Sequence, residues 1–161
     1  MRILVIDDDV TMLWSLSNTL RRWGSEVEVA TGARSGIRMV ANRPFDVILL
    51  DYRMPDHDAV WFLRNAVIPQ ETPIILMTGF ADPRGLSELR SLGVCDVLEK
   101  PFSQSELHDQ LEKLSVGTTW RQRKREMNRK ETETQEKVHA AHADDTNGRP
   151  YPCGTAAPHA A

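Results

Sequence analysis

The sequence predicts a doubly wound α/β domain followed by a polar tail. Short runs rich in Val and Ile alternate with stretches of helical spacing, the runs are apolar almost without interruption, and hydrophobic residues thin out abruptly near residue 116. A continuous apolar run suits a strand buried on both faces, the usual state of a parallel sheet. Parallel strands need crossover connections, and the helical stretches supply them.

The strand-like runs are Ile3 to Ile6, Val27 to Val29, Val47 to Leu50, Ile74 to Met77 and Val94 to Leu98. After the first comes a helical stripe of Leu13, Leu16, Leu20 and Trp23, closed by the stop signal Trp23-Gly24. The second helix, with Ile37 and Val40, has the thinnest pattern. The third carries Val60, Leu63 and Val67, the fourth Leu86, Leu89 and Leu92, and the fifth Leu107, Leu111 and Leu114. Pro55, Pro73, Pro83 and Pro101 fall in loops or at element starts, where a missing amide proton does no harm.

With 161 residues, 40% hydrophobic and 27% charged, the chain can form one globular domain and an appendage. No apolar run approaches the roughly 20 residues of a membrane helix. Acidic residues also come too early for a signal peptide, so the expected location is cytoplasmic, with no membrane partner. Cys95 and Cys153 form no metal-spaced set. The net charge is −5 through Val116 and +2 from Gly117 onward. An acidic body argues against a nucleic-acid partner, which would require a positive face. From Gly117 there is no Leu, Ile or Phe. Such a segment cannot bury enough surface to offset its ordering entropy. The expected organisation is therefore a folded domain over 1–116 and a mostly disordered tail over 117–161, with a basic segment at 120–130.

Four of the five runs end in reactive side chains. Asp7 and Asp8 follow the first in "VIDDD", Asp51 follows the third in "VILLDYRMPD", Thr78 the fourth in "IILMTGF", and Lys100 the fifth in "DVLEKPF". Doubly wound sheets bind ligands beyond the carboxyl ends of their strands. Two carboxylates about 4 Å apart repel by roughly 4 kcal/mol at an effective dielectric near 20, so such a cluster calls for solvent, a proton or a cation. Oxygen ligands without thiolate or imidazole suit a hard cation, and Mg²⁺ takes one or two carboxylates while leaving positions for water and phosphate. Lys100 can then pair with phosphate, Thr78 can donate to a phosphate oxygen, and one carboxylate can act as nucleophile. Each residue also has a plain use: the three aspartates as helix caps, Asp51 in a turn, Lys100 as a solvated side chain. Their joint placement at four strand ends favours a shared site. His57, His108 and Cys95 show no partner pattern and read as surface or packing residues. Trp14 and Trp61 read as core or interface aromatics.

Taken together and in this order, "VIDDD", "LLDYRMP", "IILMTG" and "EKPF" resemble the receiver domain of two-component response regulators. The resemblance covers the whole expected folded part and implies a flavodoxin-like (βα)5 fold, a five-stranded parallel sheet in the order 2-1-3-4-5. It implies Asp51 as phosphoacceptor, Asp8 as a direct Mg²⁺ ligand, Asp7 as one acting largely through water, and the backbone carbonyl of Arg53 as a further ligand. Lys100 would anchor the phosphate, Thr78 would be the switch hydroxyl, Lys100-Pro101 would be cis, and Asp9 would cap a helix. The implied partners are a sensor histidine kinase or a histidine phosphotransfer protein as donor, and a downstream target protein. Output is expected through protein–protein contact without a fused DNA-binding domain, with a phosphorylation-linked dimer as a further assembly. Its only catalysis would be its own phosphorylation and dephosphorylation.

Three departures from the family pattern stand out. Val97 occupies a position where an aromatic residue is common, and Ala59 one where glycine is usual. Arg53 and Phe80 replace small or polar residues, and their bulk is expected to obstruct the water that would hydrolyse a phosphoaspartate. Two other readings remain. "VIDDDVT" matches the D-x-D-x-T signature of haloacid-dehalogenase-type phosphatases, with Asp7 as nucleophile and Asp9 as general acid. That reading leaves Asp51 idle and lacks a further acidic pair after the lysine. The third reading is a receiver-like scaffold that acts without phosphorylation.

Overall fold

The computed structural model describes residues 1–79 and 83–115. The tail expected over 117–161, its basic segment, and Phe80 lie outside the described residues. Five parallel strands, β1 (Arg2–Ile6), β2 (Glu26–Ala30), β3 (Val47–Asp51), β4 (Ile74–Thr78) and β5 (Val94–Glu99), form one sheet in the order β2-β1-β3-β4-β5. The helices are α1 (Val10–Arg22), α2 (Ala33–Asn42), α3 (Ala59–Asn65), α4 (Pro83–Ser91) and α5 (Gln104–Ser115). This is the flavodoxin-like (βα)5 arrangement that the motif order implies.

The period-2 alternation of the strands divides the apolar residues into two cores. Ile3, Val5, Val47, Leu49, Ile75 and Met77 face Leu13, Leu16 and Leu20 of α1 and Leu107 and Leu111 of α5. Leu4, Ile6, Ile48, Leu50, Ile74 and Leu76 face the opposite layer, with Ala33 of α2, Phe62 and Leu63 of α3, and Leu89 of α4. Burial on both faces explains why the central strands read as unbroken apolar runs. Each fully buried Leu or Ile contributes about 2 kcal/mol, so the central strands form a stiff base for whatever stands at their tips.

One expectation about a helix face needs correction. α3 ends at Asn65, and Val67 beyond it is 88% exposed; Phe62, fully buried, is the residue that anchors this helix. The chain is extended at Ala66 (φ −86°, ψ 134°), directly after the last helical residue. Of the two readings of Trp14, core or interface, exposure of 69% on the outer face of α1 excludes the core.

Candidate functional site

The hydrogen-bond ladder of the sheet runs right up to the reactive residues. Asp7 N donates to Ala30 O (3.1 Å), Tyr52 N to Met77 O (2.9 Å), and Lys100 N to Thr78 O (2.7 Å). The side chains of Asp7, Asp51, Thr78 and Lys100 therefore start from backbone already fixed by neighbouring strands. Asp7, Asp51 and Thr78 are buried, and Asp8 is exposed beside them.

Lys100 connects the first, third and fifth strand tips. Its Nζ donates to Asp7 Oδ2 and to Asp51 Oδ1, each at 2.6 Å. Asp7 Oδ1 accepts from Asp9 N (2.8 Å), and Asp51 Oδ2 accepts from Arg53 N (2.9 Å), so local turns fix both carboxylate planes. Carboxylate oxygens of Asp7, Asp8 and Asp51 all lie within 4.8 Å of one another. Thr78 joins Asp51, Tyr52, Arg53 and Gly79 in lining a cavity of about 280 Å³ next to this cluster. The Lys100-Pro101 peptide is cis, as expected.

One ammonium shared by two buried carboxylates sets the electrostatics. Burial raises the Asp51 carboxyl above its ordinary value and the charge of Asp7 adds to this; Lys100 and the Arg53 amide pull it down without cancelling the rise. Burial also opposes the charge of Lys100, but its hydrogen bonds and attraction to Asp51 and Asp7 outweigh that and raise its pKa. Lys100 gains two partners, whereas each carboxylate receives only a share of one.

The donor set fits a divalent hard cation. Three carboxylates and one ammonium leave two formal negative charges, and the cluster contains oxygen donors with no thiolate or imidazole. Asp7, Asp8 and Asp51 are the carboxylates that would hold a divalent cation here.

The chain matches the family model described as the response regulator receiver domain over residues 3–112. The chain belongs to the response regulator receiver family. Receivers of this family serve phosphorylation-based two-component signalling. This receiver is 33% identical to the transcriptional regulatory protein ZraR of Escherichia coli O157:H7 over 117 residues, covering 72% of this chain and 26% of that protein. It is 33% identical to the regulatory protein AtoC of Escherichia coli K12 over 108 residues, covering 66% and 23%. The chain thus spans about a quarter of the length of these curated relatives. Among solved structures, the chemotaxis protein CheY4 of Vibrio cholerae superposes with a TM-score of 0.66 at 28% identity, covering 70% of this chain and 97% of that one. A CheY-like receiver from Methanospirillum hungatei gives 0.67 at 30%, covering 71% and 94%.

The geometry bears on each sequence expectation for the receiver. Asp7, Asp8, Asp51 and Lys100 are brought together; Thr78 and Arg53 adjoin the same cavity. Asp9 is occupied elsewhere, its carboxylate accepting from Thr11 N (2.8 Å) and Met12 N (3.2 Å) at the start of α1. The phosphatase reading needed Asp9 as a proton donor and had no role for Asp51, and both points weigh against it. Val97 is half-buried against the α3 side of the sheet. Ala59 is fully buried at the first turn of α3, where its methyl packs into the core. Sequence reasoning missed Asp56, which accepts from Ala33 N (3.1 Å) and Arg34 N (3.0 Å) at the start of α2. The available signal was indirect: α2 begins after Gly32, with no capping side chain of its own.

Proposed function

We propose that this receiver takes a phosphoryl group on Asp51 in a Mg²⁺-dependent reaction and relays the change by protein–protein contact. The observation that carries this reading is the Lys100 ammonium, held at 2.6 Å from both Asp7 and Asp51 with Asp8 in reach. In this reading a carboxylate oxygen of Asp51 attacks phosphorus, the phosphorus–nitrogen bond of a phosphohistidine donor breaks, and the leaving imidazole retains the electron pair and takes up a proton. Lys100 has three N–H donors, two of which are used on Asp7 and Asp51. The third, together with the Thr78 hydroxyl, would donate to the transferred phosphoryl oxygens. Bound Mg²⁺ would neutralise charge as it develops on those oxygens. The donor would be a sensor histidine kinase or a histidine phosphotransfer protein. The recipient of the signal would be a downstream target protein in the cytoplasm, with phosphorylation-linked dimerisation as one form of output. Among the described residues no helix is long and apolar enough to cross a membrane. The Arg53 side chain, lining the cavity beside Asp51, would hinder the hydrolytic water and prolong the phosphorylated state.

Incubation with a small phosphodonor, with and without Mg²⁺, tests this. The wild type is expected to gain the mass of one phosphoryl group only with Mg²⁺, and Asp51→Asn to gain none. A phosphoryl group found on Asp7 would favour the phosphatase chemistry.

A further inference from the structure

The loop of residues 52–58 holds the Arg53 amide that orients Asp51 and the Arg53 carbonyl assigned to the cation. Its base is closed by two backbone bonds, Tyr52 N to Met77 O (2.9 Å) and Ala59 N to Tyr52 O (3.0 Å). Between these points the loop is anchored by the buried Met54 and by Asp56. Asp56 reaches 23 positions back along the chain: Oδ1 accepts from Ala33 N and Oδ2 from Arg34 N, while His57 N donates to Oδ1 at 2.9 Å. It serves α2 as an N-terminal cap that the helix's own sequence does not provide.

Gly32 supports the same assignment independently. Its backbone is extended (φ 168°), a conformation open to any residue, so conformational freedom does not explain a glycine here. Close approach does: a Cβ at position 32 would stand 2.8 Å from Asp56 Oδ1 and 2.9 Å from Cγ.

We propose that Asp56 is a positioning residue for phosphotransfer, tethering the Arg53 backbone by capping α2 from within the loop. The inference rests on the reading of Asp51 and its cation given above. Only Met54 and Pro55 separate the two residues, and the proline ring restricts φ, so movement at Asp56 reaches Arg53 with little slack. The tether is also electrostatically matched, with a carboxylate at the positive end of a ten-residue helix. Partial desolvation opposes ionisation of Asp56, but the amides of Arg34, Ala33 and His57 outweigh it and lower its pKa, which preserves the tether in mildly acidic solution.

Two full-chain variants separate position from charge. Asp56→Ala removes the tether together with a negative charge, whereas Gly32→Ala displaces the carboxylate and keeps every charge. Both are expected to weaken Mg²⁺ binding, followed by calorimetry, by about tenfold, the lower end of what loss of a supporting contact around a metal site does. Both should also speed hydrogen exchange at the Arg53 amide in the metal-free protein, with Asp56→Asn in between. Saturating Mg²⁺ should return the rate of Asp51 phosphorylation close to wild type. Fast exchange confined to Ala33 and Arg34, with Arg53 and Mg²⁺ affinity unchanged, would overturn the proposal, as would weakening in Asp56→Ala alone. A wild type that binds no Mg²⁺ would instead sink the reading of the site, while exchange at Arg53 would still decide the tether. Asp56→Ala only removes atoms, so it keeps the exchange test open if Gly32→Ala folds poorly.

Discussion

The two ends of the sheet handle charge in opposite ways. At the amino end, Arg2 N donates to Asp46 Oδ2 (2.7 Å), and the Arg2 guanidinium reaches Glu26 Oε2 (3.4 Å) and Pro44 O (3.3 Å), with both charged side chains well exposed. At the carboxyl end, two buried carboxylates share one lysine, and a third, exposed carboxylate stands beside them. The first arrangement balances charge in water and could be replaced by many others. The second retains repulsion inside low-dielectric surroundings, a destabilising feature that folding alone does not require. A cation and a phosphoryl group would turn that repulsion into binding.

Removing the lysine should expose this difference most strongly. Lys100→Ala leaves Asp7 and Asp51 facing each other without a counter-charge and is expected to lose about 3 kcal/mol in urea unfolding without Mg²⁺. Added Mg²⁺ should recover most of the loss. At the other end of the sheet, Arg2→Ala should lose less than about 1 kcal/mol and be indifferent to Mg²⁺. Equal losses from the two variants would break the comparison.

The pH dependence sharpens it further. Because the folded pKa of Lys100 is raised above 10.5, its stabilising contribution is complete below that value and disappears as pH climbs through the raised pKa. The metal-free protein should therefore lose stability in the alkaline range, and Lys100→Ala should lack that component. Asp51 has the opposite consequence: its folded pKa is raised above 3.8, so the folded state binds the proton more tightly and stability falls as pH rises from 3.8 through the raised value. Asp51→Asn, which cannot ionise, should then be more stable than wild type at neutral pH without Mg²⁺, as measured by thermal unfolding. A smaller effect concerns lifetime. Arg53→Asn should shorten the life of the phosphorylated state several-fold, followed by loss of the phosphoryl mass over time, and an unchanged lifetime would remove Arg53 from that role.

Much of this was legible in the sequence because it lay in the local pattern. Strand runs such as Ile3 to Ile6 and Val47 to Leu50 differ from the observed strands by a single residue at one end, since burial on both faces leaves few polar interruptions. The reactive positions were legible because a sheet gathers its strand tips, whatever their distance along the chain. Asp7 and Lys100 lie 93 positions apart yet share a hydrogen bond. Features depending on one tertiary contact were not legible. Val67 fits a helical stripe, but α3 has already ended, and nothing local marks Asp56 as the cap of a helix earlier in the chain. The type of Trp14 likewise left core and interface both open, and only its place on α1, facing solvent, excludes the core.

In the proposed reading, the carboxyl-end cluster is built to hold a divalent cation beside a phosphorylated Asp51. A crystal structure with Mg²⁺ and beryllium fluoride tests it most directly. The expected result is the mimic attached to Asp51, the ion bonded to oxygens of Asp8, Asp51 and the Arg53 carbonyl, and Lys100 turned from Asp7 toward the mimic. An ion bound elsewhere, or a mimic seated on Asp7, would contradict it.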